Sequence, residues 1–436
     1  MLLHILRPIA RLVLYVFFRK IDVRGYDRVP VGRPLILVAN HPNVMLDALI
    51  LGVCAPGARF LGKSTLFRHP LYAWFLRQLG VIPVARAQDE GAEMSRNRDM
   101  MRHACQTLQD GHSLVVFPEG ASHAEMRVRD LKPGTARIAL RTEAEADGQA
   151  GICVVPVGLT YSDPGLFRGD VSVHFGEAIE VRAFLQAYRE GRHVAEQELT
   201  ASIHERLSTL TRHIEDSDLE AVIRDLSALY SENVAAGLPD SAELSRRLRA
   251  EQEIIRAVRH FARVEPGLVR SFARRLRGHR RKLRRLGLGP DGLTQGTSPL
   301  SAGRLLLTLL LSPLALYGFL HNALPYYLPR LFVRSHREAP EMVGTVKLTA
   351  GIVLFPLSYL ILTGAACLLT DLRSALLYGL TLPVSGLFAL FYDERILRGR
   401  PLWQGLVSPR GLRRLSEERD VIVKDLDAIK ERYRSL

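Results

Sequence analysis

Chemistry is concentrated in one octapeptide, Asn40-His41-Pro42-Asn43-Val44-Met45-Leu46-Asp47, which follows the apolar run Leu35–Ala39 and leads into the apolar run Ala48–Val53. Pro42 keeps His41 out of helical conformation and suits a first helical turn, so the imidazole is expected to project from a strand-to-helix corner. Asp47 follows about one and a half helical turns later. It stands among Leu46, Leu49 and Ile50, where a carboxylate needs a partner, and His41 is the nearest one. In such a pair the carboxylate holds the ring tautomer while the other ring nitrogen takes a proton from an attacking hydroxyl. No covalent nucleophile is needed if the group to be transferred is already activated as a thioester. Taken alone, the octapeptide reads equally well as a helix N-terminus capped by Asn43 beside a surface histidine.

Three further blocks follow in order. Gly80-Val81-Ile82-Pro83-Val84-Ala85-Arg86 ends a candidate strand in an arginine, the side chain suited to clamping phosphate with two hydrogen bonds. Phe117-Pro118-Glu119-Gly120 ends the next strand; its glycine lets the backbone approach a ligand closely, and Glu119 could hold a glycerol hydroxyl or orient Arg86. Val154-Val155-Pro156-Val157-Gly158 is an apolar strand, either core or the lining of an acyl path. Each block has an ordinary structural reading by itself, respectively a solvated charge, a strand-end turn and core.

The ordered set resembles the glycerol-phosphate and 1-acylglycerol-phosphate acyltransferases, which carry a histidine–aspartate motif, a GxIPxxR-like block, FPEG and a VPV-like strand. The resemblance covers roughly residues 34–181. It implies that His41 and Asp47 are the catalytic pair and that Arg86, Phe117, Glu119 and Gly120 are substrate-binding positions for phosphate and glycerol. Lys63, in Gly62-Lys63-Ser64-Thr65, and Lys132, in Leu131-Lys132-Pro133-Gly134, also match family positions. Five residues separate His41 from Asp47, where the common pattern has four; the longer spacing is similar to that of the fungal glycerol-3-phosphate/dihydroxyacetone-phosphate acyltransferases. The resemblance implies no cofactor, only acyl-CoA or acyl carrier protein as co-substrate, and a glycerol-phosphate or lysophospholipid acceptor. A coenzyme A-independent transacylase would share every motif. A noncatalytic lipid-binding scaffold would need no His–Asp contact.

These residues need a frame. Short β-branched runs alternate with longer helical ones through residues 34–175, with candidate strands Leu35–Ala39, Arg59–Gly62, Val81–Val84, Leu114–Phe117, Cys153–Gly158 and Val171–Phe175. The pattern predicts an α/β fold with a mostly parallel sheet flanked by helices, and residues 34–190 form the expected catalytic domain. Residues 1–33 are expected to hold an amphipathic helix in the membrane interface, since Arg7 and Arg11 interrupt an apolar run too short to span. Residues 191–290 read as a helical extension that ends in a basic stretch from Arg270 to Arg285.

A Gly/Pro/Ser-containing linker leads to a membrane module at 304–395, with apolar segments 305–324, 348–370 and 374–392 close to the ~20 residues needed to cross a bilayer. Pro313 suggests that the first segment is a re-entrant pair, three full spans being the alternative. Arg330, Arg334, Arg337 and Lys347 before the 348–392 hairpin, and Arg395, Arg398 and Arg400 after it, put both flanks and the catalytic domain on the cytoplasmic face by the positive-inside rule. Residues 406–436 form an amphipathic helix expected to pack on the head.

The net charge of +14 favours polyanionic partners. The basic stretch lacks interleaved aromatics or a recognition fold, so anionic membrane lipids fit it better than nucleic acid. The four cysteines, Cys54, Cys105, Cys153 and Cys367, are far apart, which argues against zinc and against a disulfide framework. No metal site is expected, and no Walker A, GxGxxG or GxSxG motif is present.

Overall fold

The structure is a computed structural model that describes residues 2–84, 94–214, 217–235, 243–285, 302–394 and 409–435. Its strands are β1 (Lys20–Arg24), β2 (Leu35–Ala39), β3 (Arg59–Lys63), β4 (Val81–Val84), β5 (Leu114–Val116), β6 (Cys153–Tyr161), β7 (Asp170–Phe175) and β8 (Ile179–Glu180). Its helices are α1 (Leu2–Phe17), α2 (Val44–Cys54), α3 (Pro70–Gln78), α4 (Met94–Gln109), α5 (Gly134–Glu145), α6 (Leu185–Glu190), α7 (Arg192–Thr209), α8 (Ser217–Ala235), α9 (Glu243–Val264), α10 (Pro266–Arg285), α11 (Ala302–His336), α12 (Pro340–Leu369), α13 (Leu372–Tyr392) and α14 (Pro409–Arg434). Contacts divide the chain into two units: Met1–Glu215 with Glu338–Val346, and Asp216–Arg337 with Lys347–Leu436.

In the first unit one sheet runs in the order β1-β7-β6-β2-β5-β3-β4, with β8 paired to β6. β2 lies parallel to β5 and β6, and β3 parallel to β4 and β5, so the C-terminal ends of these five strands share one edge. β7 and β8 are antiparallel to β6, which makes the sheet mostly parallel, as the sequence predicts. The central strands are fully buried apolar runs, Leu-Ile-Leu-Val-Ala in β2 and Leu-Val-Val in β5, because helices cover both faces of such a sheet. On one face α4, α5 and α7 bury Leu108, Ile138, Leu140, Leu199 and Ile203 against Ile36, Val38 and Val154. α1 packs against α2, and Leu14, Phe17, Phe18, Leu46, Ile50 and Leu51 are buried there.

Several boundaries differ from expectation. β1 occupies part of the stretch read as an interface helix and pairs with β7 from Lys20↔Asp170 to Arg24↔His174. Its Lys-Ile-Asp-Val-Arg sequence alternates polar and apolar residues, as a half-exposed edge strand does. α1 buries its end in the head, yet Ile9, Leu12 and Tyr15 are exposed. At the other boundary, α7 buries Ala195, Leu199, Ile203 and Leu207, so the catalytic unit runs on past residue 190.

The second unit holds α8, α9, α10, α11, α13 and α14, and α12 from Lys347 on. α14 is joined to the helical extension by Tyr230–Asp427, Arg275–Asp425 and Lys282–Glu418 contacts, where the sequence reading placed it on the head. α11, α12 and α13 each carry a stretch long and apolar enough to cross a membrane. α11 is continuous from Ala302 to His336 through Pro313, Pro325 and Pro329, so Pro313 does not divide it into a re-entrant pair; neighbouring groups satisfy the backbone that a helical proline frees. Asp371 separates α12 from α13 and caps the latter by accepting from the Ser374 amide at 3.0 Å.

Candidate active site

Asn40 follows β2, and its side-chain amide both donates to the Leu159 carbonyl (2.9 Å) and accepts from the Leu159 amide (2.7 Å). The side chain thereby extends the β2–β6 ladder by one rung beyond Ala39↔Val157 and aims the chain out of the sheet at residue 41. His41 leaves the C-terminal edge there, its ring stacked on Phe117 at 3.9 Å between centroids and 13° between planes. Its Nδ1 lies 2.8 Å from Asp47 Oδ2.

Asp47 is completely buried and fully engaged. Oδ2 also accepts from the Asn43 backbone amide at 2.7 Å, and Oδ1 accepts from the Tyr161 hydroxyl. Burial pushes the carboxyl above its ordinary range, and the hydrogen bonds from His41, Tyr161 and Asn43 pull it back. Burial and the neighbouring Asp47 charge push the Tyr161 phenol well above its ordinary value, so it remains a donor. An ionised Asp47 can only accept, which makes Nδ1 the protonated nitrogen of a neutral His41 ring. Nε2 then carries the lone pair and has no hydrogen-bond partner among the described residues. The side chain of His41 keeps 13% of its surface exposed.

Glu119 is buried and its described contacts are internal. Oε1 accepts from the His41 amide at 3.1 Å, while Oε2 accepts from the Arg129 amide at 3.1 Å and meets His123 Nε2. The His123 amide in turn donates to the His41 carbonyl at 3.0 Å. Glu119 thus pins the backbone of residue 41 to the loop after β5. Gly120 has φ +75°, and a Cβ there would lie 2.7 Å from Lys132 Cε and Nζ. Lys132 therefore crosses directly over this loop, and its amide donates to the Pro118 carbonyl at 2.9 Å. Lys63 ends β3 in register with Val84, two strands from β2 along the same edge. Arg86 lies outside the described residues. Among those residues no group of three or more His, Cys, Asp or Glu side chains could hold a metal ion.

The structure therefore brings His41, Asp47, Phe117, Glu119, Gly120 and Lys132 together and puts Lys63 on their edge. Sequence reasoning missed three participants. Tyr161 is 114 residues from Asp47 and had no local signal beyond its place at the end of an apolar strand. Asn43 does not cap its own helix with its side chain; Nδ2 donates to the Pro164 carbonyl at 2.8 Å, and Oδ1 accepts from Thr345 Oγ1 at 3.1 Å. Thr345, the third, comes from the start of α12.

A parallel α/β edge presenting an imidazole backed by a buried carboxylate is an arrangement whose chemistry suits base-assisted attack by a hydroxyl. Residues 20–160 match the family model described as Acyltransferase. A chloroplast 1-acyl-sn-glycerol-3-phosphate acyltransferase of Arabidopsis thaliana is 28% identical over 151 residues, covering 34% of this chain and 38% of that protein. An uncharacterized acyltransferase of Schizosaccharomyces pombe is 25% identical over 370 residues, covering 64% and 53%. Glycerol-3-phosphate O-acyltransferase 1 of Saccharomyces cerevisiae is 26% identical over 345 residues, covering 72% and 44%. The chain spans about half, or less, of the length of these relatives.

Proposed function

We propose that this chain is a membrane-bound glycerolipid acyltransferase that moves a fatty acyl group from acyl-CoA or acyl carrier protein to the hydroxyl of glycerol-3-phosphate or 1-acylglycerol-3-phosphate. The observation that carries this reading is the His41 Nδ1–Asp47 contact of 2.8 Å, which leaves Nε2 as the basic nitrogen. Nε2 takes the proton of the acceptor hydroxyl as its oxygen attacks the thioester carbonyl, and Asp47 stabilises the imidazolium that forms. Collapse of the tetrahedral adduct expels the thiolate, which recovers the proton from Nε2. Lys63 and Lys132, with Arg86, supply positive charge for the acceptor phosphate.

Glycerol-3-phosphate is favoured as acceptor because the similarity to the yeast glycerol-3-phosphate enzyme runs over 345 residues, well beyond the catalytic unit. The long apolar helices support attachment to a membrane, and the arginines flanking them favour the cytoplasmic face. A thioester-release assay on purified protein with glycerol-3-phosphate, dihydroxyacetone phosphate and lysophosphatidate tests this reading. His41→Ala is expected to lower transfer by roughly 10²–10⁴-fold while the head stays folded. Full activity in that variant at wild-type expression removes His41 from the mechanism, and acyl exchange between phospholipids with no thioester present would replace the reading by a transacylase.

A further inference from the structure

The N-terminus of α2, the helix that carries Asp47, is completed from a distant part of the chain. A helix's first amides have no intrahelical partner, and an Asn at the cap position ordinarily satisfies one with its own side chain. Asn43 occupies that position without doing so. The Met45 amide donates instead to Thr345 Oγ1 at 3.0 Å, and the same hydroxyl donates to Asn43 Oδ1 at 3.1 Å. The sequence separations are 300 and 302 residues. Residues 338–346 cluster with the head rather than with the remainder of α12.

The fit around Thr345 is close. A Cβ on Gly344 would come within 2.5 Å of the Pro164 carbonyl oxygen, 2.6 Å of Asn43 Nδ2 and 2.8 Å of Leu46 Cδ1, and a Cβ on Gly165 would come within 2.8 Å of Val343 Cγ1. The first turns of α12 are therefore pressed into the corner between the start of α2 and the loop after β6. Asn43 links this corner to the catalytic pair, since its backbone amide donates to the same Asp47 oxygen that faces His41.

We infer that Thr345 is a positioning residue for the His41–Asp47 pair, acting through Asn43 and Met45 as a cap donated in trans along the chain. This inference rests on the acyltransferase reading for its kinetic consequence, and on geometry alone for its structural one. A tight corner holds Asp47 where its oxygen meets Nδ1; a loosened one changes turnover more than acceptor binding, since misplacement of reacting groups acts on the chemical step.

The test compares Thr345→Val, which keeps shape but loses the hydroxyl, with Thr345→Ser, which keeps the hydroxyl, in the full-length membrane protein. Hydrogen exchange at residues 43–47 is read first. Thr345→Val is expected to speed exchange of the Met45 amide by roughly tenfold, the cost of a lost cap, with amides of β2 and β5 unchanged, while Thr345→Ser matches the parent. In transfer assays Thr345→Val is expected to lower kcat about tenfold with KM within twofold, and Thr345→Ser to restore it. Unchanged exchange at Met45 in Thr345→Val overturns the proposal whatever the activity, and so does faster exchange accompanied by parental kcat. If the parent transfers no acyl group to any acceptor, the functional reading fails by itself and Met45 exchange alone decides the capping role.

Discussion

Asp47 is where stability and chemistry pull in opposite directions. The fold raises the pKa of its carboxyl above the ordinary 3.8, so the folded chain binds that proton more tightly than the unfolded chain does. Ionised Asp47 therefore costs stability at neutral pH, and the cost is relieved as the pH falls through the raised value toward 3.8. Asp47→Asn removes this dependence. It is expected to lose transfer activity by on the order of 10³-fold, to melt no lower than the parent at pH 7, and to fall behind the parent on acidification; thermal unfolding in detergent between pH 7 and 4 reads all of this. Tyr161→Phe removes one hydrogen bond to a charged oxygen, about 1.5–3 kcal/mol, and is expected to cut kcat about tenfold while leaving acceptor KM in place. The His41–Asp47 pair was legible in the sequence because six positions at a strand-to-helix corner keep both groups together. Tyr161 and Thr345 were not, because the sheet and α12 bring them in from far along the chain, and no local pattern encodes that meeting.

At the level of elements, buried strands announce themselves through continuous apolar runs, and β2 and β5 fall within a residue of where those runs put them. β1 and the two-residue β8 do not, the first for its alternation at an edge and the second for its brevity. α11 shows a different limit: Pro313 would end a helix in water, yet the chain continues through it. The apolar helices are held by polar contacts as well as packing. Asn322 of α11 donates to the Leu382 carbonyl of α13 at 3.3 Å and accepts from the Tyr359 hydroxyl of α12 at 2.6 Å. In an apolar surrounding such bonds are each worth about 0.6 kcal/mol, up to about 1.7. Asn322→Leu is expected to loosen all three helices, seen as a lower melting temperature in detergent and faster proteolysis between α11 and α12, with the His41 environment unchanged.

On the scale of the molecule, the net charge of +14 overstates what is available to lipid. Part of the basic stretch is spent inside the second unit, where Arg275 faces Asp425, Arg280 faces Asp225 and Lys282 faces Glu418, while Arg274, Arg277 and Arg281 are exposed. The arrangement of long helices predicts a measurable topology. With the native cysteines replaced, Arg373→Cys and Arg337→Cys are expected to react with an impermeant maleimide from opposite sides of the membrane. Labelling of both from one side would refute a complete crossing by α12.

The division of α12 between the two units bears on how a crystallisable fragment could be cut. A truncation that stops near residue 215 keeps every acyltransferase block and discards the hydrophobic cargo, yet it also discards Thr345 and leaves the Met45 amide and the Asn43 side chain without that hydroxyl. Grafting residues 338–346 back, on a tether or as a free peptide, is then the means of returning the excised head to its native register.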